Sequence, residues 1–146
     1  AEAQHDLGVL YHEGLGVPRN HRKAVKWFRK AANQGYAKGR FNLAVMYEHG
    51  RGVPQDYQEA AKWYHEAADQ GDARAQFNLG SLHYEGRGVV RDYVRAHTWL
   101  SLAEGHFTGT DQDQAAQTRG MVEAQMTPAQ IAEAQERMLD WQQKTE

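Results

Sequence analysis

An internal repeat of 36 residues constrains this chain more than any other feature of its sequence. Gly14, Gly50 and Gly86 lie 36 residues apart, and six further columns keep one residue type in the same three-fold register without a gap. These columns are Gly16/Gly52/Gly88, Leu7/Leu43/Leu79, Val17/Val53/Val89, Ala24/Ala60/Ala96, Trp27/Trp63/Trp99 and Ala31/Ala67/Ala103. Sequence periods of roughly 20 to 50 residues are typical of stacked supersecondary units. We therefore expect three units with mainly local contacts.

The first half of each unit predicts an α-helix, here called helix A. In the second unit, Leu43, Met46 and Tyr47 follow one another at helical spacing. Gly50 then stands where a helix ends in a left-handed residue, a conformation that glycine adopts without strain. Ten of the 14 glycines occupy repeat columns, so the high glycine content is a feature of the helical hairpin repeat.

The second half of each unit predicts a second helix, helix B. Asp56 is a candidate N-cap, and Glu59 three residues later would complete a capping box. Trp63 and Tyr64 belong to an apolar face at helical spacing, so we interpret them as core residues. Gly71 is predicted to end the helix, whereas the third unit has Phe107 at this position.

Residues 109–146 break the period and predict two further helices. Asp111 to Gln125 is consistent with one helix, and Thr127 with Gln130 predicts the start of the next. An apolar stripe follows in this last helix: Ile131, Ala134, Met138 and Trp141. Such a helix suits a terminal cap with one face for the last repeat and one for water. A helix that binds a partner is the alternative.

Charge and composition exclude several classes of protein. The net charge of −2 argues against a general nucleic-acid binder, and no apolar run approaches the roughly 18 residues of a membrane span. Cysteine is absent, which removes disulfides, thiol nucleophiles and cysteine-bound metals. The compartment stays open between bacterial periplasm and cytoplasm. The chain opens on the first residue of a repeat, so it is either part of a longer repeat protein or a mature chain.

The second unit shows the repeat most fully, as A-K-G-R-F-N-L-A-V-M-Y-E-H-G-R-G-V-P-Q-D-Y-Q-E-A-A-K-W-Y-H-E-A-A-D-Q-G. The G-x-G-V turn beside the A-x-x-W helix resembles the Sel-1-like repeat family, a relative of the tetratricopeptide repeat. The resemblance implies an all-α, right-handed α-solenoid of three 36-residue helix-turn-helix repeats plus C-terminal capping helices. The expected divisions are repeats 1–36, 37–72 and 73–108 and a cap 109–146, in one continuous domain.

The resemblance also implies an adaptor or scaffold that binds a peptide or protein in a concave groove formed by the A helices. The helix A positions predicted to point into this groove are His5, Phe41, Asn42, Val45, Glu48, His49, Phe77, Asn78, Ser81, Tyr84 and Glu85. Large apolar side chains on an exposed face mark interaction surfaces. Asn42 and Asn78 carry both donors and acceptors for a peptide backbone. The alternative for Phe41 and Phe77, packing between neighbouring A helices, stays open.

An enzyme or a protein for small ligands is the rival hypothesis. Its candidate site is His49, Glu48 and Tyr84, as in a hydrolase-like His/Glu/Tyr arrangement. The eight histidines form no H-E-x-x-H pattern, and His5 and His12 are interpreted as surface residues of helix A. We therefore expect no catalytic residues, no metal site and no cofactor.

Helix B of the first unit predicts the most basic surface. Its cationic residues are Arg22, Lys23, Lys26, Arg29 and Lys30. A solvated outer face explains such a run, and docking to an acidic partner or to anionic phospholipid head groups is the alternative.

Overall fold

A computed structural model of the chain describes residues 1–145. Across these residues the structure consists of eight α-helices and has no β-strand. The helices are α1 (Glu2–Glu13), α2 (His21–Asn33), α3 (Ala37–His49), α4 (Tyr57–Asp69), α5 (Ala73–Glu85), α6 (Tyr93–His106), α7 (Gly109–Glu123) and α8 (Pro128–Thr145). The odd-numbered helices α1, α3 and α5 are the predicted A helices, and α2, α4 and α6 are the B helices.

The helices form two compact units, Ala1–Asp72 and a second unit that begins at Ala73. In the first unit, α1 packs against α2 and α3 against α4, and α2 also packs against α3. In the second unit, α6 is the central helix, because α5, α7 and α8 all pack against it. Each hairpin thus buries the apolar face that neither of its helices could bury alone.

The turns between A and B helices share the same backbone conformation. Helices α1 and α3 end in Gly14 and Gly50 with φ of 72° and 64°, as the sequence predicts. The next helices begin at N-caps whose side chains accept backbone N–H bonds: Asn20, Asp56 and Asp92. The predicted capping box with Glu59 is not formed. The Asp56 N–H donates instead to the Tyr47 carbonyl of α3 at 2.9 Å. In a capping box this N–H would donate to the Glu59 side chain.

Small residues let the paired helices approach closely. A Cβ added to Gly8 would lie 2.6 Å from the Phe28 ring, and one added to Gly39 would lie 2.8 Å from the Ala31 Cβ. The large side chains of the core fill the space beside them. Phe28, Leu43 and Tyr64 are buried in the first unit, whereas Leu100 and Val122 are buried in the second.

The last two helices follow the prediction with shifted bounds. Helix α7 runs from Gly109 to Glu123, two residues ahead of the predicted helix at both ends. At the start of α8, Thr127 Oγ1 accepts from the Gln130 N–H, and the Gln130 side chain accepts from the Thr127 N–H, which completes the capping box. Trp141 of α8 contacts Trp99 of α6 edge-on, with ring centroids 6.2 Å apart. The predicted apolar stripe therefore faces the last repeat.

Candidate functional site

The predicted groove residues of the first unit lie on α1 and α3, and we call them the first A-helix surface. They are His5, Phe41, Asn42, Val45, Glu48 and His49. His5 is more buried than its predicted surface position, because only 12% of its side chain is exposed. Its ring packs against Phe28 and Tyr36, and its Nε2 lies 2.8 Å from the Asn42 side-chain nitrogen. Asn42 is thereby held in one orientation by the neighbouring helix.

The rest of the first A-helix surface is partly exposed and also supported from beneath. Phe41 and Val45 are half-buried, and the Phe41 ring lies 5.8 Å from that of Tyr64. The Tyr64 hydroxyl donates to Glu48 at 2.9 Å. His49 is exposed, with its Nε2 3.7 Å from the Glu48 carboxylate. An apolar strip beside an amide and a carboxylate of fixed orientation can contact both the side chains and the backbone of an extended peptide.

The predicted groove residues of the second unit lie on α5, and we call them the second A-helix surface. They are Phe77, Asn78, Ser81, Tyr84 and Glu85. Phe77 contacts Phe107 and packs on the core around Leu100 and Val122. Tyr84 packs against Tyr93, with ring centroids 5.9 Å apart, and the Ser81 hydroxyl donates to the Phe77 carbonyl. Asn78 is half-buried, whereas Glu85 is exposed and lies 3.1 Å from Arg87.

The basic run on α2 forms a surface with aromatic support. Lys23 lies over the Tyr11 ring, and Lys30 lies over the Trp27 ring at 4.7 Å. Arg29 donates to the Tyr47 hydroxyl at 2.7 Å. Cations over aromatic faces are attracted by the ring quadrupole. Part of this positive charge therefore stabilises contacts within the first unit.

His12 is a functional candidate that sequence reasoning missed. The pattern places it on the surface of helix A, yet its Nδ1 is buried, and its ring lies 5.4 Å from that of His21 across the first turn. The signal was present in the repeat columns, because residues 12 and 21 align with Tyr84 and Tyr93 of the third unit. Two aligned aromatic positions predict a ring contact.

A polar network connects α6 and α7 in the second unit. His97 is 2% exposed, and its Nε2 lies 2.8 Å from Glu123, while Ser101 Oγ lies 3.3 Å from its Nδ1. Arg119 donates to both Glu123 and Glu104, at 2.7 and 2.6 Å. The hydrogen bond with His97, followed by the bond with Arg119, holds the pKa of Glu123 below its ordinary value. The bonds to Glu104 and Glu123 raise the pKa of Arg119. This set is arranged as a charge-paired connection between two helices, beside a cavity of about 420 Å³.

Two properties of the described residues bear on the class of site. No group of three or more His, Asp or Glu side chains within residues 1–145 has an arrangement that could hold a metal ion. Over the same residues, no helix has both the length and the apolar character that a membrane span requires.

Paired helices with repeated turns and polar-aromatic A-helix surfaces define a helical repeat protein of the α-solenoid class. The family model of the Sel1 repeat matches residues 1–36, 37–72 and 73–104. The chain therefore belongs to the Sel1 repeat family, and the predicted α-solenoid fold class is confirmed. Proteins of this family are generally scaffolds for protein interactions, and no catalytic family is indicated.

Solved structures show the same relationship. A Sel1 repeat protein from Oxalobacter formigenes is 40% identical, with a TM-score of 0.77 over 82% of this chain and 46% of its own. The c5321 protein, a protective antigen of uropathogenic Escherichia coli with this repeat fold, is 30% identical, with a TM-score of 0.80 over 99% of this chain and 38% of its own. This chain thus spans less than half the length of either protein.

A more distant structure shares the fold alone. Cysteine-rich protein B of Helicobacter pylori is 23% identical, with a TM-score of 0.63 over 77% of this chain and 89% of its own. No curated protein sequence matches the chain. These three solved structures are of bacterial proteins.

Proposed function

We propose that this chain is a non-enzymatic module that binds an extended peptide or protein segment on its A-helix surfaces. The observation that carries the proposal is the support beneath the first A-helix surface. Asn42 is held by His5, and Glu48 by Tyr64, while Phe41 and Val45 stay partly exposed between them. Side chains that are already ordered lose less entropy when a ligand binds.

The second A-helix surface is proposed to contribute further contacts. Its polar members are Asn78, Ser81 and Glu85, beside the partly exposed rings of Phe77 and Tyr84. The unit of binding in this proposal is the series of repeats 1–36, 37–72 and 73–108, followed by the cap 109–146.

A selection of peptides tests this proposal. Peptides chosen from a random library on the intact chain should lose at least about tenfold in affinity when Val45→Arg places a long cation on the first A-helix surface. Gln58→Arg on the exposed side of α4 is the matched control and should leave affinity unchanged. Circular dichroism should show that both variants stay folded. If the selected peptides lose affinity equally with both variants, the A-helix proposal is wrong.

The absence of catalysis is also part of the proposal, and its rival is a small-ligand or hydrolase-like site at His49, Glu48 and Tyr84. Glu48 accepts a hydrogen bond from Tyr64, and this bond favours a structural role for the carboxylate. A thermal-shift screen with divalent metals and small carboxylic esters distinguishes the two. We expect no shift in melting temperature, and a clear shift that Glu48→Gln removes would favour the rival.

An acidic partner at the basic surface of α2 is a second proposed interaction. Arg22, Lys23 and Lys26 are exposed, and Lys23 is held over an aromatic ring. Binding of an acidic peptide or of anionic vesicles should weaken with added salt, because exposed charges are screened. The double variant Lys26→Glu/Arg22→Glu should weaken it further. Equal binding by this variant and the native chain would exclude the basic surface.

A further inference from the structure

The first turn of the chain contains a cavity that the proposed peptide-binding surfaces do not use. It has a volume of about 350 Å³ and is lined by His12, Glu13, Arg19, His21 and Arg51. The turn of the second repeat lies against the start of α2, since a Cβ added to Gly52 would lie 2.4 Å from the His21 carbonyl oxygen. This close approach places Arg51 beside the start of α2, so two successive turns of the first unit supply the cavity walls.

Two histidines in this cavity carry buried nitrogens without partners. The Nδ1 atoms of His12 and His21 are both buried, and neither has a hydrogen-bond partner among the described residues. The third unit has Tyr84 and Tyr93 at the aligned positions, with their rings at a similar separation of 5.9 Å. Tyrosine rings, which have no ring nitrogen, are therefore sufficient for the ring packing at this turn. The first unit instead places two imidazole rings, which carry polar nitrogens, at the wall of the cavity.

The charges that line the cavity favour an anion as its ligand. Arg19 and Arg51 bring two positive charges, against one negative charge from Glu13. The pKa of His12 is lowered chiefly by burial and then by His21 and Arg51, with a smaller opposite effect of Glu13. His21 is the first residue of α2, a helix of 13 residues, and helix N-termini also attract anions. Two arginines would repel a metal cation from the same space.

We propose that this cavity binds a phosphate group through Arg19, Arg51, His12 and His21. These four side chains come from α1, α2 and both turns, and all four line the cavity. A tetrahedral phosphate has acceptor oxygens in several directions, whereas a carboxylate has two in one plane. The source of the group is either inorganic phosphate or the phosphoryl group of a larger molecule.

Nuclear magnetic resonance of the histidine Cε1 protons in the full chain tests the proposal. Titration with sodium phosphate at pH 7 should move the His12 and His21 signals along a saturable curve, whereas sodium chloride of equal ionic strength should not. Because a bound anion stabilises the imidazolium form, the pKa of His12 should also rise in phosphate.

Variants that copy the third repeat provide the controls. His12→Tyr/His21→Tyr introduces the side chains of Tyr84 and Tyr93, so it should keep the fold and weaken phosphate binding at least about tenfold. Arg51→Gln should weaken binding by a similar factor, since Arg51 lines the cavity. Arg87→Gln changes the aligned arginine of the third unit and should have no effect. Circular dichroism and the melting temperature check the fold of each variant.

Two arms of the experiment distinguish the sources of the phosphate. Equal affinity for inorganic phosphate and O-phosphoserine would indicate free phosphate, and at least tenfold tighter binding of O-phosphoserine would indicate a larger ligand. The absence of a saturable shift with either probe, an equal shift with chloride, or a shift that Arg51→Gln leaves unchanged would overturn the proposal.

Discussion

The first and second repeats share their sequence columns but differ in burial. Leu7 is 38% exposed, whereas Leu43 in the same column is fully buried. Trp27 is half-buried, and its counterpart Trp63 is 8% exposed. Helix α3 packs against α2 of the preceding repeat as well as against its own partner α4, while α1 packs mainly against α2. The comparison shows that the contribution of a repeat residue to stability depends on the neighbouring repeat. The repeat column alone does not set this contribution.

The tryptophan column should show the largest difference in stability. We expect Trp63→Ala to lower the free energy of unfolding by roughly 3–5 kcal/mol, because it removes a buried indole and leaves a cavity. Trp27→Ala should cost about half as much, since Trp27 keeps part of its ring in solvent. Urea denaturation of both variants measures the difference. Lys62→Ala is the control, expected within about 0.5 kcal/mol because Lys62 is exposed. Equal losses for the two tryptophans would contradict the comparison.

The leucine column tests the same idea with smaller side chains. Leu43→Ala should cost about 2–5 kcal/mol, as other buried leucines do. Leu7→Ala should cost under about 1 kcal/mol, because much of the side chain is in contact with water in the folded chain. Thermal and urea unfolding give both values, and a Leu7→Ala loss as large as that of Leu43→Ala would show that α1 is buried in solution.

The second glycine of the turn separates backbone strain from a tertiary contact. Gly16 and Gly52 both have φ of 75°, so alanine at either position is strained by roughly 1–2 kcal/mol. An added Cβ meets nothing within 4 Å at Gly16, but at Gly52 it would overlap the His21 carbonyl. Gly52→Ala should therefore destabilise the chain by at least about 1 kcal/mol more than Gly16→Ala. Denaturant midpoints of the two variants test this difference, and equal midpoints would show that the second turn does not rest on α2.

Acid should act on the two units in different pH ranges. The pKa of His12 lies below its ordinary 6.5, chiefly through burial, so the unfolded chain binds the proton more readily. The free energy of unfolding should fall as the pH drops below about 6.5. The pKa of Glu123 lies below 4.5, chiefly through its bond with His97, so its stabilisation is present above 4.5 and lost as the pH falls through its lowered folded value.

Urea titrations at a series of pH values measure both effects. His12→Tyr should reduce the pH dependence of the free energy of unfolding in the range just below about 6.5. Glu123→Gln should reduce it in the range below 4.5. A pH profile that neither variant changes would assign the acid sensitivity to other groups.

Local features of the sequence predicted the helices closely. The turn glycines, the N-cap of Asp56 and the capping box of Thr127 and Gln130 depend on residues within a few positions of one another, and the structure contains all of them. Glu59 is the exception among local predictions. The Glu59 side chain is predicted to accept a hydrogen bond from the Asp56 N–H. This N–H donates instead to the Tyr47 carbonyl on the preceding helix.

The A-helix surfaces were predicted only as sets of positions. Periodicity indicated which residues turn away from helix B, but it could not show that His5 orients Asn42 or that Tyr64 orients Glu48, because these pairs join different helices. The cavity at the first turn was missed for the same reason. His12, His21 and Arg51 are brought together by a contact between two turns.

The 36-residue period is enough to define the unit, its two helices, its turn and the family, since each of these follows from spacing along one chain. The contribution of each residue to stability depends instead on the side chains that the neighbouring helix packs against it. Leu7 and Leu43, or His12 and Tyr84, stand in the same columns with different surroundings. Burial and charge are properties of the space around a side chain, so the packing of one helix on the next decided them.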